Sequence, residues 1–380
     1  MKQDAVRKVK FLHCADLHID CPFSSLPDVV AQNRRQTLRN VFLNIIDIAI
    51  NEKVDFLFIS GDLFEHNYVT LSSINFINEC FKKIPNVKIF LTCGNHDPAV
   101  QSSHYFSYKW ENNVITFKKR ISYAYIDEFD AYIYGSSFLN FEEPECFIPN
   151  FDPLDKNAIN ILLTHGTLDF DLDNCKYNPI SSEYLDELSM DYVGLGHFHK
   201  KFIKGNVYNP GSPEPLGFDE IGPHGVFVGT IDKRESLKID VEFIPTNINS
   251  YESLEITIPS INNDLLVIDE IKNKIGKVVP NPKDFLAQIS IKGYLQKGFL
   301  LDTDYIYNCL YSEFFYLNII NNTSPDYDWE VLAKEPGLRG LFVSKILDKI
   351  SNEPDEDKKR ILYSSLHYGV QAIDENDVNI

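Results

Sequence analysis

Basic residues are in short supply: 36 Lys and Arg against 55 Asp and Glu in 380 residues leave a formal net charge of −19. Cut at residues 250 and 325, the chain has no segment that is net basic. This argues against a protein that grips a polyanion unaided through a broad positive face. Long apolar runs are also missing, with nothing near the ~18 residues of a membrane span. The apolar stretch Phe11–Ala15 that follows the basic Met1–Lys10 is broken at once by Asp16 and His18, so no signal peptide is expected. The seven cysteines (Cys14, Cys21, Cys80, Cys93, Cys146, Cys175, Cys309) are odd in number, scattered and free of any CxxC pair. That excludes a disulfide framework and reads as reduced thiols in a cytoplasmic protein. Cys14 and Cys21 flank Asp16 and His18 and invite a zinc reading, but small buried hydrophobes near a strand end are the simpler account. Repeats of period 20 to 50 and low-complexity segments are absent, which sets aside solenoids. What remains, 44% hydrophobic and 24% charged residues, is ordinary globular composition. At roughly 150 residues per domain, the length implies about two or three domains with a sizeable core.

The first half alternates strand and helix signals. Val9–Ala15 is a short apolar run, Arg34–Glu52 carries apolar residues at helical spacing, and Asp55–Ser60 reads as a buried strand. Leu71–Lys83 reads as a helix and Val87–Leu91 as a strand, which completes a βαβαβ pattern and implies a parallel sheet. Short strands follow over Val114–Gly135, then a loop over Phe141–Pro153. Core strands are expected at Ile159–Thr164 and Tyr192–Leu195, and a late pair at Gly225–Ile231 and Leu237–Ile244. The polar, turn-prone Pro245–Tyr251 marks a boundary. The predicted division is therefore 1–245, then a small α+β module over 252–325, then a helical tail over 326–380 ending near Asn376.

Each predicted strand of the first domain delivers a chemically capable residue at its carboxyl end. Val9–Ala15 leads to Asp16 and His18, Asp55–Ser60 to Gly61-Asp62, and Val87–Thr92 to Gly94-Asn95-His96-Asp97. Ile159–Thr164 leads to His165, and Tyr192–Leu195 to Gly196-His197-Phe198-His199. In open α/β sheets the carboxyl ends of strands form the ligand crevice, so these residues are expected to converge. Carboxylate, imidazole and amide oxygen without thiolate is a donor set for Mn²⁺, Fe²⁺ or Zn²⁺ rather than for a structural zinc finger. One carboxylate can bridge two ions, and Asp62 is central enough to do so. Two such ions about 3.5–4 Å apart hold a phosphodiester, activate water and offset charge on the leaving oxygen. Singly, each motif reads as a cap or a turn; five in order, on the right elements, leave little room for that reading.

The series D-x-H, G-D, G-N-H-D, H and G-H-x-H resembles the calcineurin-like metallophosphoesterase superfamily. Within it, FLHCADLHIDCPF, ISGDLFE and YNPGSPEPLGFDEIGPHG (208–225) resemble the Mre11/SbcD nuclease branch and its bacterial YhaO-type DNA repair exonucleases. The tail segments GLRGLFVSKILDKI and LYSSLHYGVQAID carry the likeness to the end of the chain. The resemblance implies an α/β fold, a metallophosphoesterase β-sandwich flanked by helices, with a small α+β C-terminal domain and a helical tail. It implies one ion held by Asp16, His18, His199 and Asp62, with Asp62 bridging to a second held by Asn95, His165 and His197. His96 matches the histidine that contacts phosphate and protonates the leaving group. Asp97 either orients His96 or holds the turn. Archaeal Mre11 enzymes place a second phosphate-contacting histidine three residues after the bridging aspartate. Here that position is Glu65, with His66 next, so either Glu65 plays a different part or His66 substitutes.

The function so implied is a two-metal DNA nuclease with 3′→5′ exonuclease action on duplex ends and endonuclease action on single strands, Mn²⁺ being favoured over Mg²⁺, Fe²⁺ or Zn²⁺. Its implied partners are DNA, a Rad50-, SbcC- or YhaN-like ATPase and a second copy of the chain, with no membrane. The tail face bearing Leu341, Phe342, Ile346, Leu347 and Ile350 either docks the ATPase or packs on its own domain. Candidate phosphate contacts are Lys200 and Lys201 first, then Lys118-Lys119-Arg120 and Arg34-Arg35, each of which also reads as a solvated face. Tyr105, Phe106, Tyr108 and Trp110 either stack on an unpaired base or pack in the core. Two other functions compete: a phosphatase or small-molecule phosphodiesterase, and a non-catalytic scaffold. Asp16, His18, Asp62, Asn95, His96, His165, His197 and His199 are all in place, which counts against a degenerate scaffold.

Overall fold

A computed structural model of the chain describes residues 6–170, 172, 174–278, 281–296 and 299–375. The chain divides into two compact units, Met1–Glu252 and Ser253–Ile380. In the first unit the strands follow in the order β1 (Lys8–Cys14), β2 (Phe56–Ser60), β3 (Lys88–Thr92), β4 (Val114–Thr116), β5 (Ser122–Ile126), β6 (Ala131–Gly135) and β7 (Ile159–His165). The short pair β8 (Thr167–Leu168) and β9 (Pro179–Ile180) comes next, then β10 (Tyr192–Gly196), β11 (Phe202–Lys204), β12 (Val207–Asn209), β13 (Gly225–Asp232) and β14 (Lys238–Pro245).

One sheet has the order β14-β13-β1-β2-β3-β4 and the other β11-β12-β10-β7-β6-β5. Strands β1 to β4 are mutually parallel, as the βαβαβ pattern requires, and β13 closes on β1 antiparallel. Strand alternation sorts the side chains. Phe11, Phe56, Phe58 and Phe90 meet Ile133, Ile161, Leu163 and Tyr192 in the core between the sheets. Leu12, Leu57, Ile59, Ile89 and Leu91 point the other way, into a second core shared with the helices α1 (Asp28–Asn51) and α2 (Leu71–Lys82). The far face of the second sheet is covered by α4 (Ser182–Glu187), which follows the single-turn α3 (His104–Ser107) in the chain. This is the expected sandwich flanked by helices. A polar seam crosses it: His13 Nδ1 lies 2.8 Å from the Tyr192 hydroxyl and His13 Nε2 2.9 Å from Ser60 Oγ. Burial pushes His13 down to about 3, so it sits there neutral.

Helix α1 begins two turns before its predicted start. Arg34, read as surface charge, is fully buried and faces the core side of the helix. Its guanidinium bonds the Glu214 carboxylate, Asn249 Oδ1 at 2.6 Å and the Pro215 carbonyl at 2.6 Å. Arg34 is therefore removed from the candidate phosphate contacts, because its charge is consumed inside. The same bonds explain why Pro245–Tyr251 is no free linker. Asn249 and Tyr251 are buried, and Arg34 lies over the Tyr251 ring.

In the second unit, β15 (Ser250–Ile261), β16 (Phe285–Leu295) and β17 (Tyr316–Pro325) form a sheet in that order, with β16 and β17 parallel. Helices α5 (Asp264–Val278) and α6 (Thr303–Leu310) cover it through Val267, Ile271, Ile306 and Leu310. The tail is α7 (Trp329–Leu332), α8 (Leu338–Asn352) and α9 (Glu356–Glu375); its predicted end, Asn376, lies outside the described residues. Phe342, Ile346, Leu347 and Ile350 pack into a core with Leu366 and Val370 of α9, while Leu341 stays exposed. Among the described residues no helix is long and apolar enough to cross a membrane.

Arg34→Ala would strand the buried Glu214 carboxylate without its cation. The expected loss is about 3–5 kcal/mol from the first unit's stability. Denaturant unfolding in a Trp329→Phe background reads it, because Trp110 then reports the first unit alone. A loss under about 1 kcal/mol would mean the Arg34 network is dispensable.

Candidate metal centre

The loops that carry the polar residues are locked to one another through the backbone. Asp16 N–H donates to the Gly61 carbonyl at 3.2 Å and His18 N–H to the Asp62 carbonyl at 2.9 Å. His96 N–H donates to Asp62 Oδ1 at 2.8 Å, and His197 N–H to Asp16 Oδ1 at 3.0 Å. Positive φ angles concentrate here, at Asp16 (54°), His18 (45°), Asp62 (52°) and His197 (105°). A non-glycine backbone held left-handed is strained, and such strain persists where the surroundings over-determine it. Two glycines are required by close approach. A Cβ on Gly61 (φ 85°) would strike the His165 ring, and one on Gly94 would strike the Asp62 carboxylate.

These constraints bring together residues spread over nearly two hundred positions. His165 Nε2 lies 3.2 Å from Asp62 Oδ2 and 3.0 Å from Asn95 Oδ1, while His165 Nδ1 donates to the Ser60 carbonyl at 2.8 Å. His197 Nδ1 is 3.2 Å from Asn95 Oδ1. His18 Nε2 is 3.7 Å from the same Asp62 Oδ2, and the His18 and His199 rings are 5.1 Å apart. Donor atoms of Asp16, His18 and His199 lie within 4.8 Å of one another, and so do those of Asp16, Asp62 and His165.

The electrostatics are those of a buried cluster. Burial raises the Asp16 carboxyl above its ordinary range. Burial would raise Asp62 too, but the His165 imidazole beside it prevails and holds it well below. Burial opposes charge on His165, yet Asp62 lifts it to about 9. His197 is pushed down to about 3 by burial and by the neighbouring His165. His18 Nε2 is buried without a hydrogen-bond partner, while His18 Nδ1 is held by Glu65 Oε1 at 2.8 Å. An imidazole fixed through one nitrogen and bare at the other, facing carboxylates, is poised as a metal ligand. The donor set of Asp, His and Asn, with Cys14 turned away toward the Phe58 carbonyl, suits divalent Mn, Fe or Zn.

His96 stands at the edge of this cluster. Its ring lies 4.7 Å from that of His18, and its Nδ1 donates to Glu65 Oε2 at 3.0 Å. Glu65 thus holds His18 with one oxygen and His96 with the other. Burial opposes the charged form of His96, but the Glu65 bond and the Asp62 charge raise it to about 9. His66 is not brought in: its Nε2 lies 3.4 Å from Ser102 Oγ and its ring against Phe141. Asp97 turns away from the His96 ring. Its carboxylate accepts from Asp62 N (3.1 Å), Leu63 N (2.7 Å), Gly94 N (2.7 Å) and the Tyr105 hydroxyl (2.6 Å), so it ties the two central loops together.

Lys200 and Lys201 line a cavity beside His197 and His199, with Lys201 over the Phe243 ring at 3.5 Å. In the other candidate cluster, Lys118 Nζ donates to the Tyr105 carbonyl at 3.1 Å and Arg120 to Glu143 Oε1 at 2.6 Å, so both are committed internally. Tyr105 is buried, and Trp110 packs against Phe81, which makes this aromatic run mostly core. Sequence reasoning passed over Glu220. Its Oε1 accepts from His199 Nδ1 at 2.6 Å, and its Oε2 from Ser212 Oγ and Leu216 N. Burial opposes this, but the His199 bond holds Glu220 below the usual carboxylate range, and His199 rises to about 9. The available signal was an acid inside the Gly- and Pro-rich 208–225 stretch.

Residues 9–201 match the family described as calcineurin-like phosphoesterase. The chain is 25% identical over 297 residues to the uncharacterized metallophosphoesterase YhaO of Bacillus subtilis (strain 168), covering 74% of this chain and 71% of that one. It is 23% identical over 185 residues to one component of the nuclease SbcCD of Staphylococcus epidermidis, covering 41% of this chain and about half (49%) of that relative. It is 25% identical over 260 residues to the DNA double-strand break repair protein Mre11 of Methanococcus maripaludis, covering 62% and 67%.

Removing Glu220 tests the geometry of the cluster. Glu220→Ala frees the His199 ring to rotate and is expected to weaken Mn²⁺ binding by roughly 10–100-fold, as loss of a carboxylate behind a ligating histidine does. Calorimetric titration with Mn²⁺ reads this, and unchanged affinity would separate Glu220 from the centre.

Proposed function

Because the chain belongs to the calcineurin-like phosphoesterase family, we propose that it is a two-metal DNA nuclease, acting 3′→5′ on duplex ends and endonucleolytically on single strands. Members of the family bind two divalent ions, and the clustered donors fit them. In this reading Asp16, His18 and His199 hold one ion, Asn95, His165 and His197 the other, and Asp62 spans both. When bound, the pair supplies positive charge to the phosphate and a hydroxide-like water; Mn²⁺ suits the oxygen- and imidazole-rich donors.

The observation that carries the proposal is the placement of His96. Its backbone is anchored to Asp62 and its ring to Glu65, so the imidazole stands at the edge of the cluster, one ring nitrogen within 4.8 Å of donor atoms of His18 and Glu65. Glu65 and Asp62 keep it protonated at neutral pH despite burial. Water adds to phosphorus and gives up a proton to solvent, the bond to the leaving 3′ oxygen breaks, and His96 delivers its proton to that oxygen. Solvent then returns a proton to the ring. Glu65 fixes His96 and His18 in one mutual orientation, while Asp97 and Tyr105 hold the loops beneath them. Similarity to relatives named for Mre11 and for the nuclease SbcCD supports DNA as substrate and an ATPase as partner. The excess of acid, with no basic segment, supports weak DNA binding by the chain alone, the remainder coming from that partner or a second copy. The reduced, unpaired cysteines support a cytoplasmic setting.

His96→Ala is expected to keep its metal content and lose about 10²–10⁴-fold in cleavage of an end-labelled duplex with Mn²⁺. Retained cleavage would remove His96 from the chemistry. Wild-type protein that turned over only a chromogenic phosphodiester, and neither duplex nor single-stranded DNA, would favour the small-molecule phosphodiesterase instead.

A further inference from the structure

We infer that the cavity beside His197 and His199 is a nucleoside subsite, taking the base and sugar esterified to the scissile phosphate. The inference rests on the phosphodiesterase reading above and adds to it a determinant of substrate class. The cavity measures about 710 Å³, within the range of built small-molecule sites. His197 and His199 form part of its wall, so the cavity adjoins the cluster through these two side chains. A phosphate held there has two ester arms, and the arm on this side runs into the cavity.

The walls are apolar and aromatic. Leu168, Phe170, Phe198 and Phe202 contribute to the lining. Phe198 is fixed edge-on to both Phe202 (5.9 Å) and His197 (5.8 Å), so that wall is built rather than loose. Phe170 is 66% exposed and, among the described residues, stacks on no other ring. A flat apolar ring left open beside a polar centre is a platform for another flat group, and every nucleobase offers one.

The charges define what else enters. Lys204 is paired with Asp169 at 2.6 Å, and Lys201 lies over the Phe243 ring. Asp219 and Glu220, the latter engaged with His199, also belong to the lining, so acids stand beside the lysines and the cavity is no general anion trap. Lys200 stands directly after His199 and has no ion pair among the described residues. It is available to the phosphate next along a strand. Aromatic walls, acids beside the lysines and, among the described residues, a Lys200 without an ion pair fit a neutral base flanked by phosphate. They fit poorly a small alkyl ester or a phosphomonoester without a nucleoside, which would leave the walls against water.

The test compares two chromogenic diesters that share a leaving group: the p-nitrophenyl ester of thymidine 5′-monophosphate and methyl p-nitrophenyl phosphate. With Mn²⁺, the wild type is expected to prefer the thymidine ester by about 10-fold or more in kcat/KM, the worth of one base–aromatic stack. Phe170→Ala, a change at an exposed side chain, is expected to erase most of that preference through KM while the methyl ester stays within about two-fold. Calorimetric binding of thymidine 5′-monophosphate is expected to weaken by about the same factor, with metal content unchanged. Equal kcat/KM for the two esters in the wild type, or a preference untouched by Phe170→Ala, overturns the subsite and leaves phosphodiester hydrolysis standing. Hydrolysis of neither ester, with thymidine 5′-monophosphate still bound in a Phe170-dependent way, overturns the hydrolytic reading and supports the subsite.

Discussion

The structure turns on the burial of the Asp62 carboxylate. It is 1% exposed at the end of a central strand, with a second buried acid, Asp16, in the same cluster. Two carboxylates taken out of water repel each other and lose hydration worth several kcal/mol apiece unless cations and donors replace it. Every nearby feature answers that demand. Oδ1 takes the His96 amide; Oδ2 lies near both His165 and His18. Glycine at 61 and 94 lets the ring and the chain come close enough, and left-handed backbone at Asp16, His18 and Asp62 aims the side chains inward.

Protein groups alone satisfy this cluster only in part. The neighbouring carboxylate draws a proton onto His165, His197 is driven neutral, and His18 Nε2 is buried with nothing to bond. Divalent cations would meet these conditions together, neutralising the acids and taking up the bare His18 Nε2. The carboxylates outside the ligand set then act through the histidines. Glu220 sets the His199 ring, and Glu65 sets His18 and His96 together. Glu65 bonds two rings, while His66 lies near Ser102.

Much of this was legible in the chain. Apolar strands are short and end abruptly, so an Asp or His at each carboxyl end stood out, and sheet topology dictated that these ends meet. The helices and the parallel βαβαβ core followed from periodicity, and the sandwich from the family resemblance. What was not legible depended on partners distant in sequence. Arg34 looked like surface charge because nothing local reveals that Glu214 and Asn249 wait inside. The part played by Asp97 stayed open between a ring and a turn until the Asp62, Leu63 and Tyr105 donors were placed around it. Glu220 gave only the weak signal of an acid in a Gly- and Pro-rich stretch, because its histidine lies 21 positions away across an irregular loop. The boundary near residue 245 was read from turn-prone composition, but Asn249 and Tyr251 answer to Arg34 and belong to the first unit.

The central claim is that Asp62 exists to be shared by two divalent cations. Elemental analysis of protein loaded with Mn²⁺ and freed of excess tests it most directly, using the wild type and Asp62→Asn, a substitution that keeps the shape and removes the charge. The account predicts two ions per chain in the wild type and one or none in the variant, with the fold intact by circular dichroism. Two ions retained by Asp62→Asn, or none bound by the wild type, would contradict it.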